Sequence, residues 1–266
     1  MNYSCCIEML FTEYPFAERI YRAKECGFDA VEFWTWQDKD LDAVRTALRD
    51  TGMKTGIFQG NIRGRMVDAR DREEYVEDVL RSMETAKSLG AGNLFLMSEL
   101  LAEDRSVLER NPPLPEEEKL ENTRRVLEEL APAAERADIR LVIEPLNTKV
   151  DHRGYSLCHS APAFGLIREI GSPWVRVLYD AYHMQIMEGN LIETIRENAP
   201  YIGYFHVADV PGRHEPGTGE IQYPNVLAAL REAGYVGTVG FEFSPSQGNS
   251  METAHRVLEL FKGGDV

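Results

Sequence analysis

The sequence predicts a single (β/α)₈ barrel, and three observations lead to that prediction. The chain has 266 residues, the usual size of one such barrel. Eight short apolar runs alternate with eight amphipathic stretches, an order typical of a parallel sheet with helices between its strands. No Pro/Ser-rich linker and no low-complexity segment divides the chain, so we expect one domain over residues 1–266. The alternative that this pattern leaves open is an open, doubly wound sheet.

The short apolar runs are the predicted strands. They cover Ser4–Ile7, Ala30–Phe33, Lys54–Phe58, Asn93–Met97, Arg140–Glu144, Val175–Tyr179, Ile202–Val207 and Thr238–Phe243. The segments that follow them are long and polar, especially 98–114, 145–160 and 208–223, whereas the turns before the strands are short. In a (β/α)₈ barrel the loops after the strands build the active-site face, so we expect function at the C-terminal ends of the strands.

The amphipathic stretches are the predicted helices. They cover Pro15–Cys26, Leu41–Thr51, Arg70–Leu89, Pro115–Ala137, Ala161–Ile170, Asn190–Ala199, Pro224–Ala233 and Met251–Phe261. In the third stretch the apolar positions follow the spacing of one helix face: Val76, Val79, Leu80, Met83 and Ala86. Several helices end in a turn that contains glycine, the residue that most readily adopts the backbone conformation of a helix C-cap: Gly27, Gly52, Gly90 and Gly234.

Four residues with metal-binding side chains stand at the expected ends of strands five to eight: Glu144, Asp180, His206 and Glu242. Four neighbouring strands of a closed barrel can direct these groups to one point. Three carboxylates would repel one another there unless a cation lay between them. Oxygen ligands with one imidazole suit Mn²⁺, Mg²⁺ or Co²⁺, so a divalent metal ion is the expected cofactor.

Each of these residues taken alone has a simpler explanation. A carboxylate that ends a strand usually caps a helix or is hydrated at the rim, and a His beside aromatic residues is usually hydrogen-bonded within the core. The recurrence of all four residues at the same place in consecutive units is what favours a metal site.

Three motifs surround these residues. They read IEPLN at 143–147, YDAYHMQ at 179–185 and HVADVPGRHEPGTGEI at 206–221. Together with MLFTEY at 9–14 and GFEF at 240–243, they resemble the hydroxypyruvate isomerase family. That family lies within the larger group of xylose-isomerase-like barrels, which also contains the ketose 3-epimerases. The resemblance covers essentially the whole chain, and the long third motif, in register with the other two, is its most specific part.

The resemblance implies a metal-dependent isomerase of hydroxypyruvate, tartronate semialdehyde or a related keto acid. By this resemblance Glu144 and Glu242 are metal ligands that also transfer protons, Asp180 is a ligand, and His183 and Arg213 bind substrate oxygens. His206 departs from the pattern, because several hydroxypyruvate isomerases carry Gln at this place whereas the sugar epimerases carry His. The choice between keto-acid isomerase and ketose 3-epimerase therefore stays open.

These groups suit proton transfer through an enediolate. A cation that chelates the carbonyl and hydroxyl oxygens would polarise the carbonyl, while one carboxylate removes a proton and a carboxylic acid returns one. Return to the neighbouring carbon gives isomerisation, and return to the same carbon from the opposite face gives epimerisation. Arg213 suits a substrate carboxylate, with a surface ion pair to Glu215 or Glu220 as the alternative. His183 is either a substrate donor or a partner of a metal ligand.

Composition restricts the partners. The net charge of −15 argues against a nucleic-acid or anionic membrane surface, and no run of about 18 apolar residues is present. No signal peptide is recognised, so a cytoplasmic protein with a small keto acid or ketose substrate is expected, and a homo-oligomer is left open.

Two other classes of protein are possible on this barrel. An enzyme like endonuclease IV would need a basic surface and more His ligands than six histidines favour. A non-catalytic sugar-binding barrel would need no proton-transfer pair.

Overall fold

Eight parallel strands form a closed barrel in which β1 pairs with β8, and this closure excludes the open sheet. The computed structural model describes residues 1–263, so the last three residues of the expected domain, 264–266, lie outside the described residues. The strands are β1 (Asn2–Cys6), β2 (Ala30–Phe33), β3 (Lys54–Gln59), β4 (Asn93–Leu96), β5 (Arg140–Ile143), β6 (Val175–Asp180), β7 (Ile202–Val207) and β8 (Thr238–Phe241). The predicted (β/α)₈ barrel is confirmed.

Helices surround the barrel. Within residues 1–263 they are α1 (Phe16–Cys26), α2 (Leu41–Thr51), α3 (Arg72–Leu89), α4 (Glu116–Ala137), α5 (Ser160–Ile170), α6 (Ala181–Met187), α7 (Leu191–Asn198), α8 (Tyr223–Glu232) and α9 (Ser250–Lys262). No helix in this part of the chain combines the length and the hydropathy that a membrane crossing requires. The four cysteines form no disulfide.

Helix α6 is an addition to the predicted set. It has seven residues, too few to show a helical period in the sequence. The side chain of Asp180 caps its N-terminus by accepting a hydrogen bond from the backbone N–H of Tyr182 at 2.8 Å. This short helix follows β6 directly and carries His183, so it brings a candidate site residue to the rim of the barrel.

A bulge at Gly203 interrupts the alternation of side chains in β7. Consecutive residues of β6, Val177 and Leu178, pair with Ile202 and Tyr204, which leaves Gly203 as the extra residue. Gly203 and Tyr204 consequently both face the inside of the barrel. A Cβ at Gly203 would lie within 2.8 Å of side-chain atoms on β5 and β6, so the packing at this position requires glycine.

We expect Gly203→Ala to destabilise the protein by about 1–3 kcal/mol, the usual cost of an added methyl group in a filled core. Gly165→Ala is the matched control, because a Cβ at this helical position meets no atom within 4 Å. The control should be neutral or more stable by up to about 1 kcal/mol, since Ala favours the helix. Urea unfolding followed by circular dichroism measures both, and equal stability of the two variants would contradict the packing argument.

Candidate active site and metal centre

The C-terminal ends of β5 to β8 bring Glu144, Asp180, His206 and Glu242 together. Each offers one ligand atom, and the four atoms lie within 4.8 Å of one another. All four residues are buried. Asp180 and His206 are direct neighbours in the ladder between β6 and β7, and Glu144 and Glu242 immediately follow β5 and β8. The barrel thus directs four side chains from adjacent strands to one point.

Three atoms of this cluster lack the hydrogen bonds that buried polar atoms normally have. Glu144 Oε1, Asp180 Oδ2 and His206 Nδ1 are buried, and none has a hydrogen-bond partner among residues 1–263. Unsatisfied buried acceptors are rare in folded proteins because removing them from water is costly. A divalent cation would satisfy all three at once, and oxygen donors with one imidazole are a suitable ligand set for it.

Crowding separates the pKa values of the carboxyl groups. Burial raises the pKa of Glu144 well above its usual range; His206 opposes this rise, while Glu242 and Asp180 reinforce it. Burial also raises the pKa of Asp180 to about 6. For Glu242 burial acts upward too, but Arg213 and the nearby imidazole of His206 outweigh it and lower its pKa well below its usual range. The two glutamates thus favour opposite protonation states, as expected of an acid and a base.

Glu242 is held by two donors from outside the cluster. The indole Nε1–H of Trp34 donates to Oε1 at 2.8 Å, and a guanidinium N–H of Arg213 donates to Oε2 at 2.5 Å. The guanidinium also lies over the ring of Tyr182, 5.2 Å from its centroid. Arg213 therefore lies inside the site and does not pair with Glu215 or Glu220.

The loop after β7 that carries Arg213 is held from within by Asp209. Its fully buried carboxylate accepts hydrogen bonds from the backbone N–H groups of Val210, Gly217 and Ile221 at 2.8–3.0 Å. Arg213 has a φ of 55°, which is uncommon for a residue with a side chain. Much of the long third motif thus serves to fix the loop that places Arg213 against Glu242.

The tautomer of His183 follows from its neighbours. Its Nδ1 accepts a hydrogen bond from the backbone N–H of Asn147 at 3.2 Å, so the ring proton belongs on Nε2. Burial, together with Arg213, lowers the pKa of His183 well below its usual range, which keeps the ring neutral. Nε2 lies 3.6 Å from Asp180 Oδ2 and has no hydrogen-bond partner among the described residues. His183 therefore offers a free N–H donor at the site.

A cavity of about 320 Å³ is lined by Glu144, His206 and Glu242 of the cluster, together with His183. Its lining combines apolar side chains such as Phe95 with the cationic side chains of Lys39, Arg105 and Arg213 and with carboxylates, two of which pair with Lys39: Glu8 and Asp38. Trp34 lines this cavity, whereas the indole N–H of Trp36 donates a hydrogen bond to the hydroxyl of Ser82 at 2.9 Å, outside the cavity lining. The volume and the mixed polar and apolar wall suit a small polar molecule.

Glu32 belongs to this region although the sequence gives little sign of it. It lies in β2, is 2% exposed, and its Oε1 is 3.2 Å from Nε2 of His206. The one sequence signal is that a charged residue interrupts the otherwise apolar run Ala30–Phe33. Such a residue points either outward to water or inward to a partner, and periodicity in a four-residue strand does not decide between them.

Comparison with known proteins agrees with this architecture. Residues 20–262 match the family model described as Xylose isomerase-like TIM barrel. The chain is 31% identical to the hydroxypyruvate isomerase of Escherichia coli, with 92% of this chain and 94% of the relative covered. It is 29% identical to a 2-oxo-tetronate isomerase of Pectobacterium atrosepticum, with 92% of each chain covered. A crystal structure from Brucella melitensis, named AP endonuclease, family 2, superposes with a TM-score of 0.86 at 29% identity, covering 95% of this chain and 96% of that one.

Removal of bound metal should lower the thermal stability. A cation present at about 100 times its Kd stabilises the folded state by about 2.7 kcal/mol, because it binds the native cluster and not the unfolded chain. We expect protein treated with a chelator to melt at a lower temperature and to regain its melting temperature with Mn²⁺, Mg²⁺ or Co²⁺. Differential scanning calorimetry combined with elemental analysis tests this. An unchanged melting temperature in protein that is shown to gain and lose metal would contradict it.

Substitutions of His206 should separate a ligand from a core histidine. His206→Gln keeps an oxygen donor, so we expect it to bind Mn²⁺ with lower affinity, whereas His206→Leu has no donor and should lose the metal. Isothermal titration calorimetry gives both affinities. If the two variants bind Mn²⁺ as tightly as the parent protein, the site uses only the carboxylates.

Proposed function

We propose that this chain, which belongs to the xylose isomerase-like TIM barrel family and is an isomerase, acts on a small 2-hydroxy-carbonyl acid. Hydroxypyruvate and tartronate semialdehyde are the candidate pair, since two relatives are named for isomerising small keto acids. The observation that carries the proposal is the pair Glu144 and Glu242, which meet at one buried point with pKa values displaced in opposite directions.

Glu144, Asp180, His206 and Glu242 would hold a divalent cation. The three buried atoms without hydrogen-bond partners, described above, support this assignment. When bound, such a cation would supply Lewis acidity, polarising a substrate carbonyl and offsetting the negative charge of the deprotonated substrate. Mn²⁺, Mg²⁺ and Co²⁺ are the candidates that this ligand set favours.

Glu144 and Glu242 are the proposed proton-transfer pair. One glutamate takes the proton from the carbon beside the carbonyl, and the other gives a proton to the neighbouring carbon, while the hydroxyl proton moves to the former carbonyl oxygen. Trp34 and Arg213 donate to Glu242 and keep its carboxylate ionised and in one orientation. Glu144, with its raised pKa, suits the role of proton donor.

His183 and Arg213 are the proposed substrate-binding residues. The N–H at Nε2 of His183 and the buried Nε of Arg213 both lack hydrogen-bond partners within residues 1–263, so both donors remain for substrate oxygens. The guanidinium suits a carboxylate, which can accept two of its N–H groups. Substrate bound in this way would complete the hydrogen bonding of the cavity wall.

His206 favours a second candidate on the same site. The sugar epimerases of the resembling group carry His at this place, so a ketose 3-epimerase, with the proton returned to the same carbon, is the alternative. No feature of the site favours DNA as a substrate, although one solved relative is named an AP endonuclease. The net charge of −15 opposes binding to a phosphate backbone.

Substitution of either glutamate tests the proposed mechanism. Gln keeps the size and one ligating oxygen but removes the basic carboxylate, so we expect Glu144→Gln and Glu242→Gln to bind metal and to lose about 10²–10⁴ in turnover. Incubation with hydroxypyruvate in D₂O at saturating Mn²⁺ gives deuterium exchange and product formation separately. Exchange without net conversion would identify the glutamate that still acts.

Asp180→Asn is the matched control for these variants. It should act through metal affinity, so excess Mn²⁺ should restore part of its activity and none of the activity of the glutamate variants. A panel of ketoses run in parallel decides between isomerase and epimerase, because an epimerase exchanges deuterium without changing the carbonyl position. Turnover of either glutamate variant at the parent rate with metal bound would show that the residue is a ligand only.

A further inference from the structure

A further buried carboxylate, Glu32, lies behind His206, on the side of the imidazole that faces away from the metal cluster. Its Oε1 is 3.2 Å from Nε2 of His206, and its Oε2 accepts a hydrogen bond from the hydroxyl of Tyr204 at 2.6 Å. No Lys or Arg among the described residues forms an ion pair with it, and His206 is the one basic partner. Burial of a carboxylate with only these two partners costs free energy of desolvation, so a functional role would explain why Glu32 is placed here.

Two glycines on other strands make room for this arrangement. A Cβ at Gly240 in β8 would lie 2.5 and 2.6 Å from the two carboxylate oxygens of Glu32, and 2.7 Å from His206 Cδ2. A Cβ at Gly56 in β3 would lie 2.5 Å from the hydroxyl of Tyr204. Residues of β2, β3, β7 and β8 therefore combine to enclose the Glu32 carboxylate. A larger residue at Gly240 would collide with the carboxylate itself, and one at Gly56 would collide with the hydroxyl that donates to it.

The two nitrogens of His206 have different surroundings. Nδ1 faces the cluster and lies 3.3 Å from Glu242 Oε2, whereas Nε2 faces Glu32. An imidazole that donates a lone pair to a metal from one nitrogen carries its proton on the other, and that N–H needs an acceptor. Oε1 of Glu32 has no other hydrogen-bond partner among residues 1–263, so it is free for this role.

We propose that Glu32 is a positioning residue for the metal centre: it accepts the Nε2–H of His206 and thereby directs the Nδ1 lone pair towards Glu144, Asp180 and Glu242. This inference rests on the proposed metal site and adds a residue to it that touches neither metal nor substrate. Tyr204 holds the second oxygen of Glu32 and so fixes the carboxylate against the ring. If residue 206 were Gln, the same carboxylate would accept a hydrogen bond from the amide N–H of that Gln, and the amide oxygen would remain for the metal.

The test compares Mn²⁺ affinity in Glu32→Gln and in the matched control Glu99→Gln. Glu99 is equally buried, at 2% exposed, but bonds to Ser98 and Ser156 outside the cluster. We expect Glu32→Gln to raise the Kd for Mn²⁺ by about 10–100-fold, the usual effect of losing a partner of a metal-binding His, and Glu99→Gln to leave it unchanged. Isothermal titration calorimetry of the full chain measures both, and equal Kd values for Glu32→Gln and the parent would overturn the inference.

A double substitution shows whether Glu32 acts through His206. In the background of His206→Ala the Nε2–H is already absent, so Glu32→Gln should weaken Mn²⁺ binding no further. The same fold-change in both backgrounds would mean that Glu32 acts independently of His206 and would overturn the inference.

If Glu32→Gln does not fold, Tyr204→Phe removes only the hydroxyl that holds Glu32. We expect a smaller rise in the Kd for Mn²⁺ from Tyr204→Phe, and an unchanged Kd would count against the proposal.

A spectroscopic measurement completes the test. In protein loaded with diamagnetic Mg²⁺, ¹⁵N NMR should show a proton on Nε2 of His206, with its ¹H resonance shifted downfield by the carboxylate acceptor and moved upfield in Glu32→Gln. A proton on Nδ1 would overturn the inference. If the parent binds no metal, the proposed function fails with it; if the parent binds and turns over while Glu32→Gln binds equally tightly, only the role of Glu32 fails.

Discussion

Repulsion between carboxylates in a buried place is the constraint on which the rest of this structure depends. Three of them converge at the end of the barrel, where one ligand atom of each lies within 4.8 Å of the others and of an imidazole nitrogen, and their burial weakens the screening of their charges. The positive charge of Arg213 offsets part of this repulsion, and the raised pKa of Glu144 makes that carboxyl group harder to ionise beside the other two. The surrounding residues can be understood as the means by which the protein keeps these groups ordered despite that cost.

Hydrogen bonds from the loops after several strands hold these groups in place. Trp34 in the loop after β2 orients Glu242, Asp209 fixes the loop after β7, and Asn147 fixes the tautomer of His183. None of these residues needs to react. Their hydrogen bonds restrict the side chains that are proposed to react, so that part of the entropy of ordering the site is already lost on folding.

The architecture and the four clustered residues could be predicted from the sequence, because strand ends recur in order and barrel closure brings them together. The direction in which each strand residue points is harder to predict from the sequence. The bulge at Gly203 places two consecutive residues of β7 inside the barrel, so strict alternation would misplace either Gly203 or Tyr204. Helix α6 is too short to show a period. The role of Glu32 in β2 becomes visible only when barrel closure brings His206 of β7 against it, and no local sequence pattern contains that information.

Asp180 uses its two oxygens for different purposes. Oδ1 caps helix α6, and Oδ2 points into the cluster beside Nε2 of His183 on that same helix. Binding of a cation at the cluster would therefore be thermodynamically linked to the local stability of α6, and the linkage would be reciprocal. A cation that ordered Asp180 would also order the helix that presents His183, and fraying of that helix would withdraw one candidate ligand atom and one hydrogen-bond donor together. The seven-residue helix α6 thus couples the group of residues that would hold an ion to His183, which would recognise a substrate.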